Sequence, residues 1–340
     1  MSEMKVQNFK GNSYQIGYSI GCAIKDSFQA NLSKIISIAE KVYAIDLSKV
    51  KSGASSWLEK LPEQYQIEAS GLSEGSGYSL DLIAQWMFVD KFLTGGCTSF
   101  IIMNNGSAWV GRNNDYIAPK MWSHVNIISK NDVIPILLFG MEGDLFSGTG
   151  YNKEKIWLHY NWLPVWDTPR QEAYPPYVFL RMALESCRNL RDLESMLKYI
   201  PRDGGMNLFF IDGKDNTCAI YECTCNSYIK REVDSQYCVG ANHFNITSVP
   251  ADYNYNFSDS CRRQKAAEDI LKSIENTGFT VKDLINVLSN PNVEQDKGLS
   301  GTVYANVACP ATGELYYACN GFPAASKSQW ELINWNWQLL

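Results

Sequence analysis

The spacing of apolar and polar residues changes character near residue 97. Between residues 14 and 45, apolar side chains recur at every third or fourth position, which is typical of an amphipathic helix. The same spacing predicts helices over about 48–69 and about 80–92, and Ser79 is a typical residue to begin the last of them. The first third of the chain is therefore predicted to be helical.

The chain after residue 97 carries the pattern of short strands. Segments 98–103 and 108–111 flank Asn104-Asn105-Gly106-Ser107, an arrangement that predicts a β-hairpin. Further strands are predicted at 124–129, 133–139, 156–160, 206–211, 218–222, 228–232, 237–240, 302–308 and 314–318, and helices at about 174–199 and 259–290. Because blocks of strands alternate with blocks of helices, we expect one α+β domain in which helices cover antiparallel sheets.

Composition and charge narrow the range of functions. The chain has 340 residues, 45% of them hydrophobic, and a net charge of −6 without a long run of Lys or Arg, so no nucleic-acid partner is expected. No window approaches the roughly 18 uninterrupted apolar residues of a membrane helix, and the first residues lack the apolar stretch of a secretory signal. The 10 cysteines form no repeating pattern, so we expect reduced thiols in a cytoplasmic protein without a metal site.

Cys97 is the strongest candidate for a reactive residue. Gly95 and Gly96 precede it, and glycine gives the backbone conformations that other residues rarely adopt. Attack of the Cys97 thiol on the Gly96 carbonyl, followed by hydrolysis, would cut the chain and free the α-amine of Cys97. Such an amine has an ordinary pKa of about 7.7–8.0, which suits a general base. This mechanism needs none of the chain's 3 histidines.

Arg112 and Asp115 are the candidate partners of this cysteine. A fixed guanidinium charge favours the thiolate, and a carboxylate can hold the new ammonium by hydrogen bonds. The predicted hairpin puts Cys97 at the start of one strand and Arg112 just past the end of the other, so the two ends are neighbours. Taken separately, the motifs also fit a loop before a buried strand and a surface ion pair. Their combination on one hairpin favours a nucleophilic site.

Several segments together resemble a known group of enzymes. Cys97-Thr98-Ser99, followed by the motif Gly-Arg-Asn-Asn-Asp-Tyr at 111–116, resembles the N-terminal nucleophile (Ntn) hydrolases of the choloylglycine hydrolase and penicillin acyltransferase group. A Gly-Cys-Thr junction is similar to the isopenicillin N acyltransferase-like branch. Segments 9–21, 147–152 and 240–244 are similar to that branch's pro-segment, glycine-rich turn and Asn-His-Phe element. The resemblance implies a four-layer αββα sandwich of two antiparallel sheets, with 1–96 as a helical pro-segment and 97–340 as the catalytic domain.

The resemblance also implies roles for individual residues. Cys97 would be the nucleophile and its α-amine the base, Asp115 would orient that amine, and Arg112 would lie against the thiolate. Asn242 would donate a hydrogen bond to the oxyanion. Asn161 is similar in setting to a second oxyanion donor.

Further residues have looser counterparts in the group. Arg263 resembles the arginine that follows the Asn-His-Phe element, with Arg262 as the alternative. We interpret His243 as a partly buried structural histidine, with the base of a Cys–His pair as the alternative. Tyr151 and Trp162 belong to an aromatic cluster that either lines an acyl pocket or packs within a sheet.

The expected function is hydrolysis of linear amide bonds in a small N-acyl substrate. The precursor would mature between Gly96 and Cys97, and the pro-segment 1–96 would remain as a small subunit, with a homo-oligomer left open. The alternatives are an acyltransferase that moves an acyl group from an amide or coenzyme A thioester to an amine, and an uncleaved homologue that only binds ligands. No cofactor is expected, because no glycine-rich phosphate loop is present. The chain also departs from the family pattern. The acyltransferase itself has a different residue at the position of Arg112, and Lys153-Glu154-Lys155 stands where small residues usually follow the glycine-rich turn. The acyl and amine groups of the substrate are therefore not assigned from the resemblance.

Overall fold

The computed structural model describes residues 4–233, 236–275, 278–335 and 337. The N-terminal part begins with strand β1 (Lys5–Gly11) and ends with a short 3-10 helix (Val89–Phe92). Between them lie α1 (Ser13–Ile24), α2 (Phe28–Tyr43), α3 (Leu47–Leu58), α4 (Glu63–Ser76) and α5 (Leu80–Phe88). The helical prediction is confirmed, although two predicted helices are each broken in two. The break before α4 falls at Pro62, which lacks an N–H to continue the preceding helix.

The rest of the chain consists of strands with three helical interruptions. The strands are β2 (Gly96–Asn104), β3 (Ser107–Ile117), β4 (His124–Lys130), β5 (Ile136–Gly140), β6 (Thr149–Asn152), β7 (Ile156–Leu163), β8 (Gly205–Asp212), β9 (Thr217–Cys223), β10 (Tyr228–Glu232), β11 (Tyr237–Gly240), β12 (Ser300–Cys309), β13 (Glu314–Ala318) and β14 (Glu331–Leu332). The helices are α6 (Pro176–Ser186), α7 (Leu190–Tyr199), α8 (Ser258–Ile274), α9 (Val281–Leu288) and α10 (Ala324–Lys327).

The strands form two sheets. One has the order β1-β4-β5-β6-β7-β8-β9-β10 and the other has the order β11-β2-β3-β12-β13-β14. Helices α1 and α6 pack on the first sheet, whereas α8 and α9 pack on the second. The layers are therefore helix, sheet, sheet and helix, and the expected α+β sandwich is confirmed.

One strand pair departs from the expected antiparallel arrangement. Strand β1 of the N-terminal segment pairs with β4 in parallel, from Lys5 opposite His124 to Gly11 opposite Lys130. A parallel partner must come from a distant part of the chain. The prediction of purely antiparallel sheets is thus wrong at this edge, and residues 1–96 contribute a strand to the sandwich as well as helices.

The β2–β3 hairpin is confirmed and is longer than predicted. Asn105 and Gly106 form its turn with φ of 51° and 79°, which an Asn-Gly pair tolerates well. The register pairs Cys97 with Asn114 and Gly96 with Asp115. Arg112 lies inside β3, opposite Ser99, and not beyond the strand end as expected.

None of the helices in the part of the chain that the structure describes combines the length and apolar character needed to cross a membrane.

Candidate active site

The thiol of Cys97 is buried beside a guanidinium group. Cys97 is 3% exposed, and Arg112 Nη2 donates to its sulfur at 3.4 Å. Asn114, directly opposite on β3, has its Oδ1 at 3.7 Å from the same sulfur. Burial raises the pKa of the Cys97 thiol, and the charge of Arg112 opposes this rise. The predicted pairing of these two residues is therefore present.

Neighbouring strands hold the guanidinium of Arg112 in place. Its Nη1 donates to the Tyr304 hydroxyl at 2.7 Å and also to Thr149. Its Nη2 donates to the carbonyl of Tyr160 at 2.8 Å. Because a planar fork with several fixed acceptors cannot rotate freely, the charge stays aimed at the sulfur.

The main-chain nitrogen of Cys97 is bound by Asn242, which lies two residues beyond β11. Asn242 Oδ1 accepts the Cys97 N–H at 2.7 Å, and its Nδ2 donates to the carbonyl of Trp162 at 2.8 Å. The Asn242 N–H in turn donates to Ser260 Oγ at 2.7 Å. The Asn242 side chain thus acts as an acceptor toward Cys97.

Arg263, and not Arg262, faces the site. Arg263 Nη1 donates to the carbonyl of Cys97 at 2.7 Å, and its Nη2 donates to Asn242 Oδ1 at 2.9 Å. The side chain of Arg262 is 47% exposed and pairs with Asp259 at 2.8 Å. Although Arg262 and Arg263 are adjacent on α8, only Arg263 contacts Cys97 and Asn242.

Asp115 lies beside the peptide bond between Gly96 and Cys97. Its Oδ1 accepts from Thr302 Oγ1 at 2.6 Å, and its Oδ2 accepts from Gln295 Nε2 at 2.5 Å. Arg263 Nη1 is 3.8 Å from the same Oδ2. Burial raises the pKa of Asp115 to about 6, against the opposing effect of Arg263.

The two glycines before Cys97 let neighbouring groups pack closely against the backbone, and they do not adopt an unusual backbone conformation. Neither has a positive φ. A Cβ at Gly96 would lie 2.5 Å from Gln295 Nε2, and a Cβ at Gly95 would lie 2.9 Å from the carbonyl oxygen of Asp115. The expectation of special dihedral angles is therefore wrong here, because what the site requires of these positions is space.

Other candidate residues lie away from the Cys97 sulfur. Asn161 accepts from Ser99 Oγ at 3.0 Å and donates to the carbonyl of Gly240 at 2.9 Å. His243 Nδ1 lies 2.7 Å from Ser260 Oγ, and burial lowers its pKa. These contacts agree with the structural interpretation of His243, and they leave both groups of the Asn161 amide engaged elsewhere.

A cavity of about 100 Å³ adjoins the Cys97 sulfur. Residues of β3, β7 and β12 line one part of this thiol cavity, namely Arg112, Asn114, Tyr160, Trp162 and Tyr304. Residues that precede Cys97 line another part, namely Asp90, Lys91, Leu93 and Gly95. Trp162 also borders a second cavity, which contacts Gly96, Asp115 and Asn242 on the other side of the peptide bond.

Tyr151 does not line the thiol cavity, and its contacts fit packing, the second of the two alternatives that the sequence leaves open. It is 2% exposed, and its ring packs edge-on against Trp335 with centroids 5.5 Å apart. Its hydroxyl donates to the carbonyl of Pro310 at 2.8 Å. Tyr151 is a core residue that joins the C-terminal segment to the first sheet.

Sequence reasoning missed several residues of the site. Asn114, Thr149, Thr302, Tyr304 and Gln295 all contact Arg112, Asp115 or the Cys97 sulfur. The period-two alternation along β3 was a usable signal for Asn114, because it puts Asn114 on the same face as Arg112. Thr149 lies in segment 147–152, which the resemblance had already singled out, whereas Thr302, Tyr304 and Gln295 come from separate elements and leave no local signal.

In the described parts of the chain, no group of three His, Cys, Asp or Glu side chains is arranged to hold a metal ion.

Comparison by sequence identifies one family. The family described as "Acyl-coenzyme A:6-aminopenicillanic acid acyl-transferase" matches residues 102–322. No curated protein sequence matches the chain significantly.

Comparison by structure finds amide hydrolases of low sequence identity. Penicillin V acylase from Agrobacterium tumefaciens has a TM-score of 0.50 and 13% identity, over 70% of this chain and 86% of that chain. The Caenorhabditis elegans ortholog of N-acylethanolamine-hydrolyzing acid amidase has a TM-score of 0.48 and 17% identity, over 70% and 100% of the two chains. A mutant of conjugated bile acid hydrolase from Clostridium perfringens has a TM-score of 0.47 and 14% identity, over 71% and 97%. At such identities the likeness concerns the fold.

Proposed function

Because the chain belongs to the acyl-coenzyme A:6-aminopenicillanic acid acyl-transferase family, as its resemblance to Ntn hydrolases predicts, we propose that it is a self-processing cysteine amidase. One observation carries the proposal. The sulfur, nitrogen and carbonyl oxygen of Cys97 each have a dedicated partner, namely Arg112 at 3.4 Å, Asn242 at 2.7 Å and Arg263 at 2.7 Å. Any buried residue needs partners for its main-chain N–H and carbonyl, but a cysteine that served only the core would not need a guanidinium at its sulfur.

The first reaction cuts the bond between Gly96 and Cys97. The Cys97 sulfur bonds to the Gly96 carbonyl carbon, the C–N bond breaks, and the thiol proton passes to the departing nitrogen. Water then attacks the thioester, which releases the Gly96 carboxylate and regenerates the thiol. Arg112 favours the thiolate that starts the sequence, and Asn242 holds the nitrogen that becomes the α-amine.

The same groups then act on a small N-acyl substrate. The free α-amine takes the thiol proton and passes it to the leaving amine of the substrate, and water resolves the acyl-enzyme. Asp115 is the nearby carboxylate that can hold the α-amine once Gly96 has left. Asn242 Nδ2 is the candidate donor for the oxyanion, provided that it exchanges its bond to the Trp162 carbonyl.

We further propose that residues 1–96 stay bound after the cut. Strand β1 supplies one edge of the larger sheet through its pairing with β4. In addition, Glu68 of α4 is 0% exposed and forms ion pairs with Lys130 at 3.0 Å and Arg181 at 2.7 Å. Loss of the segment would leave these two buried cations facing Glu185 alone, and an uncompensated buried charge is costly.

Intact-protein mass spectrometry tests the processing step. We expect two species that correspond to 1–96 and 97–340, and we expect them to co-elute in size-exclusion chromatography. The Cys97→Ala variant should remain a single chain, and Cys97→Ser should process slowly. A full-length wild-type mass that persists on long incubation, without a burst of acylation by an activated ester, would exclude the amidase.

The family description also supports a second activity, acyl transfer to an amine or from a coenzyme A thioester. Supplying a good acyl donor with and without an acceptor amine separates the two. Free acid formed without the acceptor supports hydrolysis, whereas product formed only with the acceptor supports transfer.

A further inference from the structure

A third cavity, here termed the acid cavity, lies next to the thiol cavity and is distinct from the cavity around Gly96, Asp115 and Asn242. It encloses about 60 Å³, and two carboxyl groups, Asp90 and Asp144, line it. Asp90 also lines the thiol cavity, as do Tyr116, Trp122 and Tyr177. Because the two cavities share these residues, they adjoin each other, and the acid cavity lies next to the cavity that Cys97 lines.

Each carboxyl group keeps one oxygen without a hydrogen bond among the described residues. Asp90 Oδ1 accepts from the Tyr116 hydroxyl, and Asp144 Oδ2 accepts from the Met141 N–H at 2.7 Å. Neither carboxyl group forms an ion pair with a described residue. Burial raises the pKa of Asp90 to about 6 and raises that of Asp144 well above its ordinary value, with Asp90 adding to the effect.

The nearby cations are engaged elsewhere. Among the described residues that line the two cavities, the only cationic side chains are Lys91 and Arg112. Lys91 pairs with Asp203, and Arg112 is bound to the Cys97 sulfur, Tyr304 and the Tyr160 carbonyl. The two aspartates therefore face the cavity without a compensating positive charge.

The remaining walls are mostly aromatic. Trp86, Trp122, Tyr116, Tyr177 and Phe146 surround the acid cavity. Aromatic faces attract cations that have lost their water, and carboxylates do so more strongly. An anionic ligand would meet two carboxyl groups here, and a purely apolar ligand would leave their unbonded oxygens buried without partners.

We infer that the acid cavity binds a protonated amine or guanidinium group at the far end of the substrate's acyl chain. This inference rests on the proposed function and adds the class of acyl group to it. The enzyme would then select amides of short acyl groups that end in a cation. Asp90 belongs to the pro-segment, so the retained segment would contribute directly to substrate selection.

A matched set of substrates tests the inference. We would compare p-nitroanilides of 6-aminohexanoic, heptanoic and adipic acid, whose acyl groups end in a cation, a methyl group and an anion. We expect the kcat/KM of the cationic substrate to exceed that of the heptanoyl substrate by about tenfold or more, and the anionic substrate to be the poorest. Asp144→Asn and Asp90→Asn should each reduce the ratio of cationic to heptanoyl kcat/KM by a similar factor. Asp132→Asn is the matched control, because Asp132 is exposed and lies outside both cavities.

The outcomes separate this inference from the proposed function. A wild-type preference for the heptanoyl or adipoyl substrate, or a cationic preference that neither variant reduces, would overturn the inference and leave the amidase intact. If no substrate is cleaved and the chain stays uncut, the amidase fails, and the cavity is then tested by binding. In that case a thermal midpoint raised by 6-aminohexanoate and not by heptanoate, with the rise lost in Asp144→Asn, supports the cation site. Equal or absent shifts overturn it.

Discussion

Asn242 accepts the main-chain N–H of Cys97 through Oδ1, across 145 positions of sequence. Under the proposed mechanism this nitrogen is first the departing group of the cut and later the catalytic base. The contact therefore gives Asn242 a role before the oxyanion role that the family resemblance implies.

The two roles of Asn242 can be separated by substitution. Asn242→Ala loses both the acceptor and the donor, and we expect processing to slow by about 10²–10³-fold. Asn242→Asp keeps an acceptor for the Cys97 nitrogen and loses the Nδ2 donor, so it should process faster than Asn242→Ala. The cleaved fraction, followed over time by intact mass, measures both. Equal loss in the two variants would assign the effect to the donor, and wild-type processing in Asn242→Ala would remove the residue from the mechanism.

Replacing Arg112 should make the thiol less reactive. Arg112 opposes the rise that burial causes in the pKa of Cys97, so Arg112→Gln should raise that pKa further. Each unit of increase lowers the thiolate fraction at neutral pH about tenfold. The pH dependence of iodoacetamide labelling at Cys97, read by peptide mass spectrometry, is the measurement. Arg262→Gln is the control on an exposed arginine, and an unchanged profile in Arg112→Gln would contradict the assignment.

The precursor should lose stability as pH rises through the titration of Asp115. Its pKa in the folded chain is about 6, above the ordinary value of 3.8, so the folded state binds the proton more tightly than the unfolded state. The resulting stabilisation is complete below about pH 4 and is lost as pH rises through about 6, by up to about 3 kcal/mol.

Urea unfolding at several pH values tests this sign. The Cys97→Ala background keeps the chain whole, and Asp115→Asn within it removes the titrating group. Between pH 4 and 7, we expect the free energy of unfolding to fall more steeply in the Cys97→Ala protein than in the Cys97→Ala protein that also carries Asp115→Asn. Parallel pH profiles would show that Asp115 titrates at its ordinary pKa.

The buried ion cluster of Glu68 with Lys130, Arg181 and Glu185 should stabilise the association of residues 1–96 with the rest of the chain. Glu68→Gln leaves Lys130 and Arg181 short of one negative charge, which typically destabilises a protein by about 3–5 kcal/mol. Urea unfolding should report the loss, and size-exclusion chromatography after processing should report release of the 1–96 fragment. Glu74→Gln, at an exposed position of the same helix, should change neither. Retention of the fragment by the Glu68→Gln protein at wild-type stability would refute the role of the cluster.

The sequence predicted those features whose interacting residues lie close together along the chain. The β2–β3 hairpin and the proximity of Cys97 to Arg112 follow from the Asn-Gly turn and a few neighbouring residues. Strand β1 was missed because only Phe9 of its seven residues is buried, so it lacks the alternation of a half-buried strand. Its pairing partner is more than a hundred residues away.

The same limit applies to the site. Gln295 and Thr302 bind Asp115 from 180 and 187 positions away, and nothing near them in sequence marks them as polar partners. Asn242 and Arg263 were expected only because their surroundings resemble a family. The sequence left two alternatives open for Tyr151, because a cluster of aromatic residues gives no indication of which side of a sheet each ring occupies.

The distances in sequence around Cys97 have a consequence for biosynthesis. The groups that hold its nitrogen, its carbonyl oxygen and the adjacent carboxylate come from residues 242, 263, 295 and 302, which the ribosome adds long after Cys97 itself. Under the proposed mechanism, the peptide bond at 96–97 would therefore break only in a chain that has been synthesised through residue 302 and folded. Cleavage would then mark the chains that have completed folding. Truncated or misfolded copies would be inactive as enzymes and would keep the bond at 96–97 intact.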